Sequence, residues 1–400
     1  MRLIFLSWAY PPMAYPRAIQ VQRLTAHVNR RPLQVYCLAP DGDRVMRIRD
    51  VSSGIDVVRI PRALPTRMME RSLPARRRGV LREYDVRYLW WRLAARHVIA
   101  SGAGADDVLV TFGQPMVDHL AGLAIKRRTG IRWIAHFSDP WSDNPFDPKG
   151  HAARGDEAAV IEAADTVIFT SQETADLVMA KYPAAWRTKA AVLPHGFDRR
   201  LYAAARPSGP EIVVRYLGNM FAGRGPDALL QALVILQVRA RNLLANVCFE
   251  FIGEASEEAR HHPLLAKLPA QCVRFVAKVG HVEAMALMAS ADLLLNIDAP
   301  ADVSVFLPSK LVEYVGAGRP IFGITPEGTG KRLIDAIGGW TANPGNPSDI
   351  ADRLADALAH VARHRGAAWG DGNVRQTYEA SHVAAAFERI VDALAKDRIQ

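Results

Sequence analysis

Cysteine is scarce in this sequence of 400 residues. Its three cysteines, Cys37, Cys248 and Cys272, are widely separated and form no Cys-x-x-Cys pair. Zinc sites and disulfide-stabilised scaffolds both need paired or regularly spaced cysteines, so neither is expected. The pattern favours a reducing compartment.

A long apolar run is also missing, since no uninterrupted stretch reaches the ~20 residues that cross a bilayer. The apolar run near the N-terminus ends at Ser7, and Pro11 and Pro12 follow closely. This pattern is typical of a first buried strand and not of a signal peptide. We therefore expect a cytoplasmic protein, and peripheral attachment to the inner face of the membrane stays open.

The glycine fingerprint of dinucleotide-binding oxidoreductases is absent after the first strand. In that fingerprint, Gly-x-Gly-x-x-Gly, the glycines let the backbone approach a pyrophosphate directly after a strand. Here the strand continues into Ser-Trp-Ala-Tyr-Pro-Pro, residues 7–12, which contains no glycine. The sequence therefore argues against a dehydrogenase.

Basic residues outnumber acidic ones, and the formal net charge is +9. The surplus favours an anionic partner, and charge alone leaves anionic lipid, a phosphorylated substrate and nucleic acid open. Half of the residues are hydrophobic and 23% are charged, which is typical of a soluble, well-packed enzyme.

Short apolar runs alternate with amphipathic stretches in both halves of the chain. The predicted strands are Leu3–Ser7, Gln34–Leu38, Val57–Ile60, Val108–Thr111, Trp133–His136, Thr166–Thr170, Ala191–Leu193, Ile212–Leu217, Val247–Ile252, Val273–Val276, Leu293–Ile297 and Ile321–Ile324. This alternation predicts an α/β fold with parallel sheets covered by helices on both faces.

A run rich in proline, glycine and alanine, residues 199–210, is typical of a linker between domains. We predict two doubly wound Rossmann-like domains that face each other across a cleft, residues 1–198 and 211–380. A helix over residues 381–400 is expected to pack back towards the N-terminal domain.

A glycine-containing loop follows the predicted strand Ile212–Leu217. Gly218, Gly223 and Gly225 permit close approach of the backbone to a ligand, and Arg224 adds a forked donor suited to phosphate oxygens. An ordinary strand–helix turn with a surface arginine is the alternative, because a glycine-rich loop alone is a weak signal.

The segment Phe306–Pro320 carries a stronger signal. Pro308 and Ser309 are typical of a helix start, and a helix N-terminus attracts a diphosphate through unpaired N–H groups and a partial positive charge. Lys310 falls in the first turn, where a cation is unfavourable unless an anion offsets it. Because Glu313 lies one turn further on, a structural Lys310–Glu313 ion pair is the alternative.

Taken in order, these segments resemble a retaining, family-4-like glycosyltransferase with the GT-B fold. The matching segments cover most of the chain: Tyr-Pro-Pro at residues 10–12, Glu162–Ser171, Leu193–Asp198, Gly218–Arg224, Phe251–Gly253, Ala291–Leu295 and Phe306–Pro320. Each segment is short, and the specificity comes from their order and spacing.

The resemblance implies a nucleoside-diphosphate sugar bound by the second domain and transfer with retention of configuration. It assigns Arg224 and Lys310 to the leaving diphosphate and Glu313 to the nucleotide ribose. The expected donor-binding set is Gly218, Asn219, Arg224, Pro308, Ser309, Lys310, Leu311 and Glu313. Neither a metal nor a cofactor is expected, because fixed cations and a helix N-terminus stabilise the departing phosphate.

The chain departs from the family pattern at Val305. The family commonly has a second glutamate eight residues before the one that corresponds to Glu313, and it contacts the donor sugar. That contact is expected here from the backbone or from Asp298 or Asp302.

The loop after the first strand differs as well. The family often has Gly-Gly there, whereas this chain has Ala-Tyr-Pro-Arg, with Tyr15 and Arg17 as candidate acceptor-side residues. We expect this loop to be stiffer and Arg17 to add a positive group at the cleft.

A histidine, an aspartate and an indole follow the predicted strand Trp133–His136. His136, Asp139 and Trp141 fit an acceptor-binding or proton-handling site, and Asp139 matches the family pattern better than His136. In the alternative, Asp139 caps a turn and Trp141 packs in the core. His195 is a candidate sugar contact, and a buried hinge histidine is its alternative.

Residues 66–97 hold nine arginines and only three acidic residues. Interleaved aromatics, among them Tyr88, Trp90 and Trp91, suit a surface that sits on anionic lipid. A solvated loop followed by a core helix with an arginine outer face is the alternative. No recognition-helix, RNP-type or zinc-finger signature accompanies the arginines, so nucleic acid is not expected.

The predicted function is transfer of a sugar from a nucleoside-diphosphate sugar to a cell-envelope, polysaccharide or lipid-linked glycan acceptor. One alternative is another sugar-nucleotide enzyme on the same fold, such as an epimerase. A second, suggested by Val305, is a catalytically silent sugar-nucleotide-binding subunit.

Overall fold

The computed structural model describes residues 1–13, 15–40, 44–49, 54–145, 153–202, 209–220 and 224–396, the side chains of residues 75 and 76 excepted. The chain divides into two compact units, Met1–Gly196 with Ala380–Gln400 and Phe197–Glu379. Residues 203–208 of the predicted linker and residues 221–223 of the predicted glycine loop lie outside the described residues.

The first unit contains an eight-stranded sheet in the order β3-β4-β2-β1-β5-β6-β7-β8. Its strands are β1 (Leu3–Leu6), β2 (Leu33–Leu38), β3 (Met46–Arg49), β4 (Asp56–Ile60), β5 (Val108–Phe112), β6 (Arg132–His136), β7 (Thr166–Phe169) and β8 (Ala190–Val192). All neighbouring pairs run parallel except β3 and β4. Buried parallel strands account for the continuous apolar runs in the sequence.

Helices connect these strands. They are α1 (Pro16–Thr25), α2 (Leu64–Arg71), α3 (Ala75–Asp85), α4 (Trp91–Ala100), α5 (Val117–Thr129), α6 (Arg154–Ala163) and α7 (Gln172–Met179). A π-helical turn, Val86–Trp90, joins α3 to α4.

The second unit contains a fully parallel six-stranded sheet in the order β11-β10-β9-β12-β14-β16 and a short two-stranded sheet of β13 and β15. Its strands are β9 (Ile212–Leu217), β10 (Val247–Ile252), β11 (Val273–Val276), β12 (Leu293–Ile297), β13 (Val303–Ser304), β14 (Ile321–Ile324), β15 (Glu327–Gly328) and β16 (Trp340–Ala342). Its helices are α8 (Asp227–Arg239), α9 (Arg241–Leu244), α10 (Glu257–Arg260), α11 (His281–Ala289), α12 (Ser309–Ala317), α13 (Thr329–Ile337), α14 (Pro347–Arg363) and α15 (Gly372–Thr377).

Both sheets have the strand order of a doubly wound fold, so the α/β prediction is confirmed. In each sheet the first strand of the unit lies near the centre, and later strands are added on both sides of it. Strand β1 lies between β2 and β5, and β9 lies between β10 and β12. Ligands of such folds bind outside the carboxyl ends of the strands at this reversal point. The loops after β1, β5, β9 and β12 are therefore where the chemistry is expected.

The C-terminal helix α16 (Ala380–Lys396) packs on the first unit. Its buried Phe387 contacts Phe5 of the central strand, with ring centroids 5.7 Å apart. Near its end, Glu388 and Asp392 pair with Arg31. The helix therefore completes the core on one face of the first sheet. Among the described helices, none combines the length and the hydropathy that a membrane span requires.

Candidate active site

Two glycines shape the loop that follows β9. Gly218 has a φ of +142°, a backbone conformation that side-chain-bearing residues rarely adopt. Gly253, which follows the neighbouring β10, lies so close that a Cβ there would collide with the Gly218 carbonyl oxygen. Both positions therefore require glycine, and the loop lies tightly against the sheet edge.

Asn219 links this loop to the next one. Its side-chain oxygen accepts a hydrogen bond from the Glu254 N–H at 3.2 Å, and the Met220 N–H donates to the Glu254 carbonyl at 2.9 Å. The predicted donor-binding residue Asn219 thus holds two loops together at the carboxyl edge.

Helix α12 begins with Ser309, directly after Pro308. No side chain caps this N-terminus, and its first turn contains no acidic residue. The Leu311 N–H donates to the Pro308 carbonyl at 3.0 Å, and the Leu311 side chain is buried in the core. The helix end therefore keeps its partial positive charge without an anion from its own first turn, as an anion-binding end does.

Tyr314 fixes α12 against β9. Its ring is fully buried, and its hydroxyl accepts a hydrogen bond from the Leu217 N–H at 2.9 Å. Burial raises the pKa of Tyr314, so the phenol stays protonated at neutral pH. Since Leu217 immediately precedes Gly218, this contact sets the spacing between the loop and the helix start.

Lys310 lies over the ring of Tyr216, with Nζ 4.1 Å from the ring centroid. Burial lowers the pKa of Lys310 to about 7, the Asp298 carboxylate raises it, and the Arg224 guanidinium lowers it further. The charges of Arg224 and Asp298 therefore act on Lys310 in opposite directions. Two cations close to a single carboxylate favour an added anion.

The segment between β12 and α12 places its two candidate sugar contacts differently. Asp298 is buried, and its carboxylate accepts hydrogen bonds from the Asn296 amide at 3.0 Å and the Thr325 hydroxyl at 2.8 Å. Asp302 is exposed, and Val305 is partly buried. Asp298 is thus the carboxylate whose charge acts on Lys310.

Glu313 is buried in α12, where its carboxylate accepts a hydrogen bond from the Tyr202 hydroxyl. Phe197 and Tyr202 fill the space beside Gly316, where a Cβ would come within 2.6 Å of the Phe197 ring. Tyr202 lies in the predicted linker and carries no local sequence signal that links it to Glu313. It is a residue that sequence reasoning missed.

In the first unit, the acceptor-side candidates lie at the carboxyl ends of β1, β5 and β6. Arg17 is buried, and burial lowers its pKa to about 10 although Asp139 acts in the opposite direction. Asp139 accepts a hydrogen bond from the Gln114 amide. Tyr15 is exposed, and its ring packs edge-to-face against Trp8 at 5.8 Å.

The candidate histidines of the first unit are buried near Arg17. Burial and the Arg17 charge lower the pKa of His136 to about 3 and lower that of His195 well below its usual value. His119, which the sequence did not single out, is fully buried beside them, with Nδ1 2.8 Å from the Thr111 hydroxyl. All three imidazoles are therefore neutral at pH 7, so they can donate or accept a hydrogen bond but carry no charge.

The loop after β6 is held by Glu157. This fully buried carboxylate accepts hydrogen bonds from the N–H groups of Trp141 at 3.0 Å and Ser142 at 2.8 Å. Trp141 is partly buried and packs against the core, in keeping with the packing role considered for it. Asp139 precedes this anchored segment.

Comparisons with known proteins place the chain beside several glycosyltransferases in sequence or in fold. No family model matches the chain. A curated relative, D-inositol 3-phosphate glycosyltransferase 1 of Catenulispora acidiphila, is 27% identical over 342 residues, which cover 80% of this chain and 76% of the relative. Among solved structures, Anabaena HepE with UDP and glucose has a TM-score of 0.63 at 15% identity, covering 98% of this chain and 100% of that one. Sucrose-phosphate synthase from Thermosynechococcus elongatus has a TM-score of 0.67 at 14% identity, and the match covers 99% of this chain and 100% of the synthase chain.

The chain has the GT-B fold of these solved structures, and its sequence is similar to that of a curated glycosyltransferase. The epimerase and the silent subunit are not favoured by these comparisons.

The candidate donor-binding residues of the second unit carry charges of opposite sign. The cluster of Arg224, Lys310 and the α12 N-terminus offers positive charge to a diphosphate, and Glu313 offers a carboxylate. The described residues contain no group of three or more metal-ligating side chains that could hold an ion. Tyr216 and Tyr314 are buried beside this cluster, and sequence reasoning missed them because they resemble ordinary core aromatics.

The low pKa of Lys310 predicts a pH-dependent stability. In the unfolded chain Lys310 titrates near 10.5, so between pH 7 and 10 the unfolded state binds more protons and stability rises with pH. Below pH 7 the full burial cost of the charge is present. The Lys310→Met variant without ligand should therefore be more stable than the wild type at pH 7, and the difference should shrink towards pH 10.

Thermal unfolding of both proteins across this pH range measures the difference. Lys331→Met is the matched control, since Asp335 raises the pKa of Lys331 and its removal should give no such gain. A stability difference that stays constant from pH 7 to pH 10 would contradict the assignment.

Proposed function

We propose that this enzyme transfers a hexose from a uridine diphosphate sugar, with retention, to a cell-envelope, polysaccharide or lipid-linked glycan acceptor. HepE, which shares the fold, has been solved with UDP and with UDP-glucose. The curated relative is named for an inositol 3-phosphate acceptor. The observation that supports the donor part of the proposal is the buried Lys310 in the first turn of α12, on which the Arg224 charge also acts.

The proposed chemistry follows from where charge develops. As the bond between the sugar carbon C1 and the diphosphate oxygen breaks, the electron pair stays with the diphosphate. The acceptor hydroxyl oxygen bonds to C1, and its proton passes to an oxygen of the departing diphosphate. Negative charge then grows beside Lys310, Arg224 and the helix N-terminus. Because these groups are fixed before the reaction, they stabilise the leaving group with little reorganisation.

The basic pair predicts a large loss of rate on substitution. Lys310→Ala or Arg224→Ala should each lower transfer about 100- to 1000-fold, as removal of a preorganised charge does. Release of nucleoside diphosphate, with and without a panel of acceptors, is the measurement. Release only with an acceptor also separates transfer from epimerisation.

Lys331→Ala is the control for this pair, because Lys331 is a lysine of the same unit that pairs with Glu327 and Asp335 instead. Circular dichroism and thermal unfolding establish that each variant is folded. Turnover by folded Lys310→Ala at the wild-type rate would overturn the proposed donor site.

We further propose that Asp298, and not Asp302, replaces the missing glutamate at Val305. A sugar hydroxyl that faces Val305 gives up its hydrogen bonds to water and gains none from that side chain. This loss costs about 1–3 kcal/mol of binding free energy. The Val305 carbonyl already accepts a hydrogen bond from the Thr329 hydroxyl at 3.1 Å, so its capacity to bind a sugar is reduced. The Asp298 carboxylate is buried, and its charge acts on both Lys310 and Tyr216.

Three variants compare these groups. Asp298→Asn should lower kcat/KM for the donor far more than Asp302→Asn or Val305→Ala, because only Asp298 loses a buried charge. Steady-state kinetics with several nucleotide sugars measure the effect. If both aspartate variants match the wild type while Val305→Ala changes the preference among donors, recognition of the sugar is apolar.

The membrane part of the proposal is supported by a surface on α2 and α3. We define the α2–α3 surface by its exposed apolar side chains, which are those of Leu64, Met68, Met69, Val80, Tyr84 and Tyr88. Exposed arginines, including Arg77 and Arg78, accompany them. Apolar and basic side chains together fit an anionic bilayer surface.

The structure corrects the aromatic residues expected at this surface. Trp90 is fully buried, and its indole N–H donates to the Ile60 carbonyl at 3.1 Å. Trp91 is partly buried, with the Arg92 guanidinium 4.3 Å from its ring. The π-helical turn and α4 therefore pack these two indoles at or in the core, and Tyr84 and Tyr88 remain as the exposed aromatics of the α2–α3 surface.

Vesicle binding tests this surface. The wild type should co-sediment with phosphatidylcholine vesicles that contain phosphatidylglycerol and be released as salt rises. The double variant Arg77→Gln and Arg78→Gln should bind more weakly, by about 1 kcal/mol per arginine. The control neutralises two exposed arginines of the second unit, Arg239→Gln and Arg241→Gln. Equal binding to neutral and anionic vesicles, or none to either, would contradict the proposal.

A further inference from the structure

Arg17 is a buried cation whose hydrogen bonding is incomplete. Only 3% of the residue is exposed, and Nε is fully buried. Within the described part of the chain, this Nε has no hydrogen-bond partner, and the charge of Asp139 acts on the guanidinium without a hydrogen bond to Nε. A buried charge is normally paired, because removing it from water without compensation is costly.

Further buried polar atoms at the same sheet edge lack partners. Among the described residues, His136 Nδ1, His119 Nε2 and Asp118 Oδ1 have no hydrogen bond. Native proteins pair more than about nine in ten buried polar groups, so such a concentration points to a bound ligand or to ordered water.

These residues lie at the reversal point of the first sheet. Arg17 begins α1 in the loop after β1, Asp118 and His119 begin α5 after β5, and His136 ends β6. Arg17, His136 and His195 line one cavity, together with Gln20 and Phe112. The cavity therefore occupies the position where doubly wound folds bind ligands.

The charges around the cavity favour an anion. The Arg17 charge acts on His136 and His195, and both imidazoles are neutral. Burial raises the pKa of Asp118 well above its usual value, so this carboxyl opposes an anion less than an ionised one would. The Asp139 carboxylate already accepts the Gln114 amide. A fixed guanidinium with neutral N–H donors beside it matches a phosphate or a carboxylate.

We propose that Arg17, with His136 and His195, binds an oxyanion of the acceptor, either a phosphate or a carboxylate group. This assignment deepens the proposed function and rests on it. The acceptor is then an anionic glycan or sugar derivative, and Arg17 selects it against a neutral analogue.

Titration calorimetry of the whole enzyme tests the assignment with inorganic phosphate, glucose 6-phosphate, glucuronate and neutral glucose. We expect glucose 6-phosphate or glucuronate to bind and glucose not to, which also distinguishes a phosphate from a carboxylate. Arg17→Gln should weaken that binding about 10- to 100-fold, and Arg17→Lys should weaken it less. Equal binding by wild type and Arg17→Gln, or binding of no anion by the wild type, would overturn the proposal.

Arg2→Gln is the matched control, because Arg2 lies at the amino end of the same sheet and is paired with Asp107. Arg17→Gln should also raise the midpoint of thermal unfolding in anion-free buffer, since it removes a buried charge whose hydrogen bonding is incomplete. A fall in that midpoint would instead show that Arg17 has a structural role only.

A parallel titration with UDP separates this inference from the proposed function. UDP affinity should be unchanged in Arg17→Gln and lost in Lys310→Ala. The affinity for the anionic sugar should instead fall in Arg17→Gln and be unchanged in Lys310→Ala. If Arg17→Gln weakens UDP binding and leaves sugar phosphates unaffected, Arg17 serves the donor and the acceptor assignment is wrong. If the wild type binds anionic sugars but no nucleotide, the proposed donor site fails while the Arg17 site stands.

Discussion

The hydrogen bond between the Leu217 N–H and the Tyr314 hydroxyl is the contact on which the donor-site geometry depends. It joins the last residue of β9 to the second turn of α12 in a fully buried position. Loss of this hydrogen bond would leave a buried N–H without a partner, which would lower the free energy of unfolding by about 1–3 kcal/mol. Lys310 lies four residues before Tyr314 on the same helix face, and it rests on Tyr216, the neighbour of Leu217. The end of β9 and one face of α12 are thus joined by two contacts, and these contacts fix the position of the Lys310 ammonium group.

Buried, incompletely compensated cations recur in both units. Lys310 in the second unit and Arg17 in the first unit both lie after strands at the reversal point of their sheets, and burial lowers the pKa of both. Each position costs stability in the empty protein, because a low dielectric penalises the charged form. The same environment strengthens the attraction to an anion once water is excluded. Marginal local stability and strong anion binding therefore have one physical origin.

Much of the fold could be predicted from local patterns. The predicted bounds of the strand Ile212–Leu217 coincide with those of β9, and those of Leu293–Ile297 coincide with β12, since buried parallel strands form continuous apolar runs. The edge strand β3 (Met46–Arg49) was missed because its four residues are exposed and its Met-Arg-Ile-Arg alternation contains no continuous apolar run. Lys310 could be recognised as a candidate because a lysine in the first turn of a helix is unfavourable to the helix dipole. Its position therefore indicates that an anion from outside the helix offsets its charge.

The sequence by itself determined which segments are strands and helices, which loops follow strand ends, and that two basic residues stand in two of those loops. Local spacing suffices for these features, because helix and strand periodicity and turn chemistry act over a few residues. Only the tertiary structure decided that Asp298 is the carboxylate beside Lys310, that Tyr202 contacts Glu313, and that Trp90 is buried. Asp298 and Lys310 are 12 positions apart in the sequence, and Tyr202 and Glu313 are 111 positions apart. The burial of Trp90 depends on how the helices pack on the sheet. The order of strands in the sheet sets such contacts, and no local pattern encodes that order.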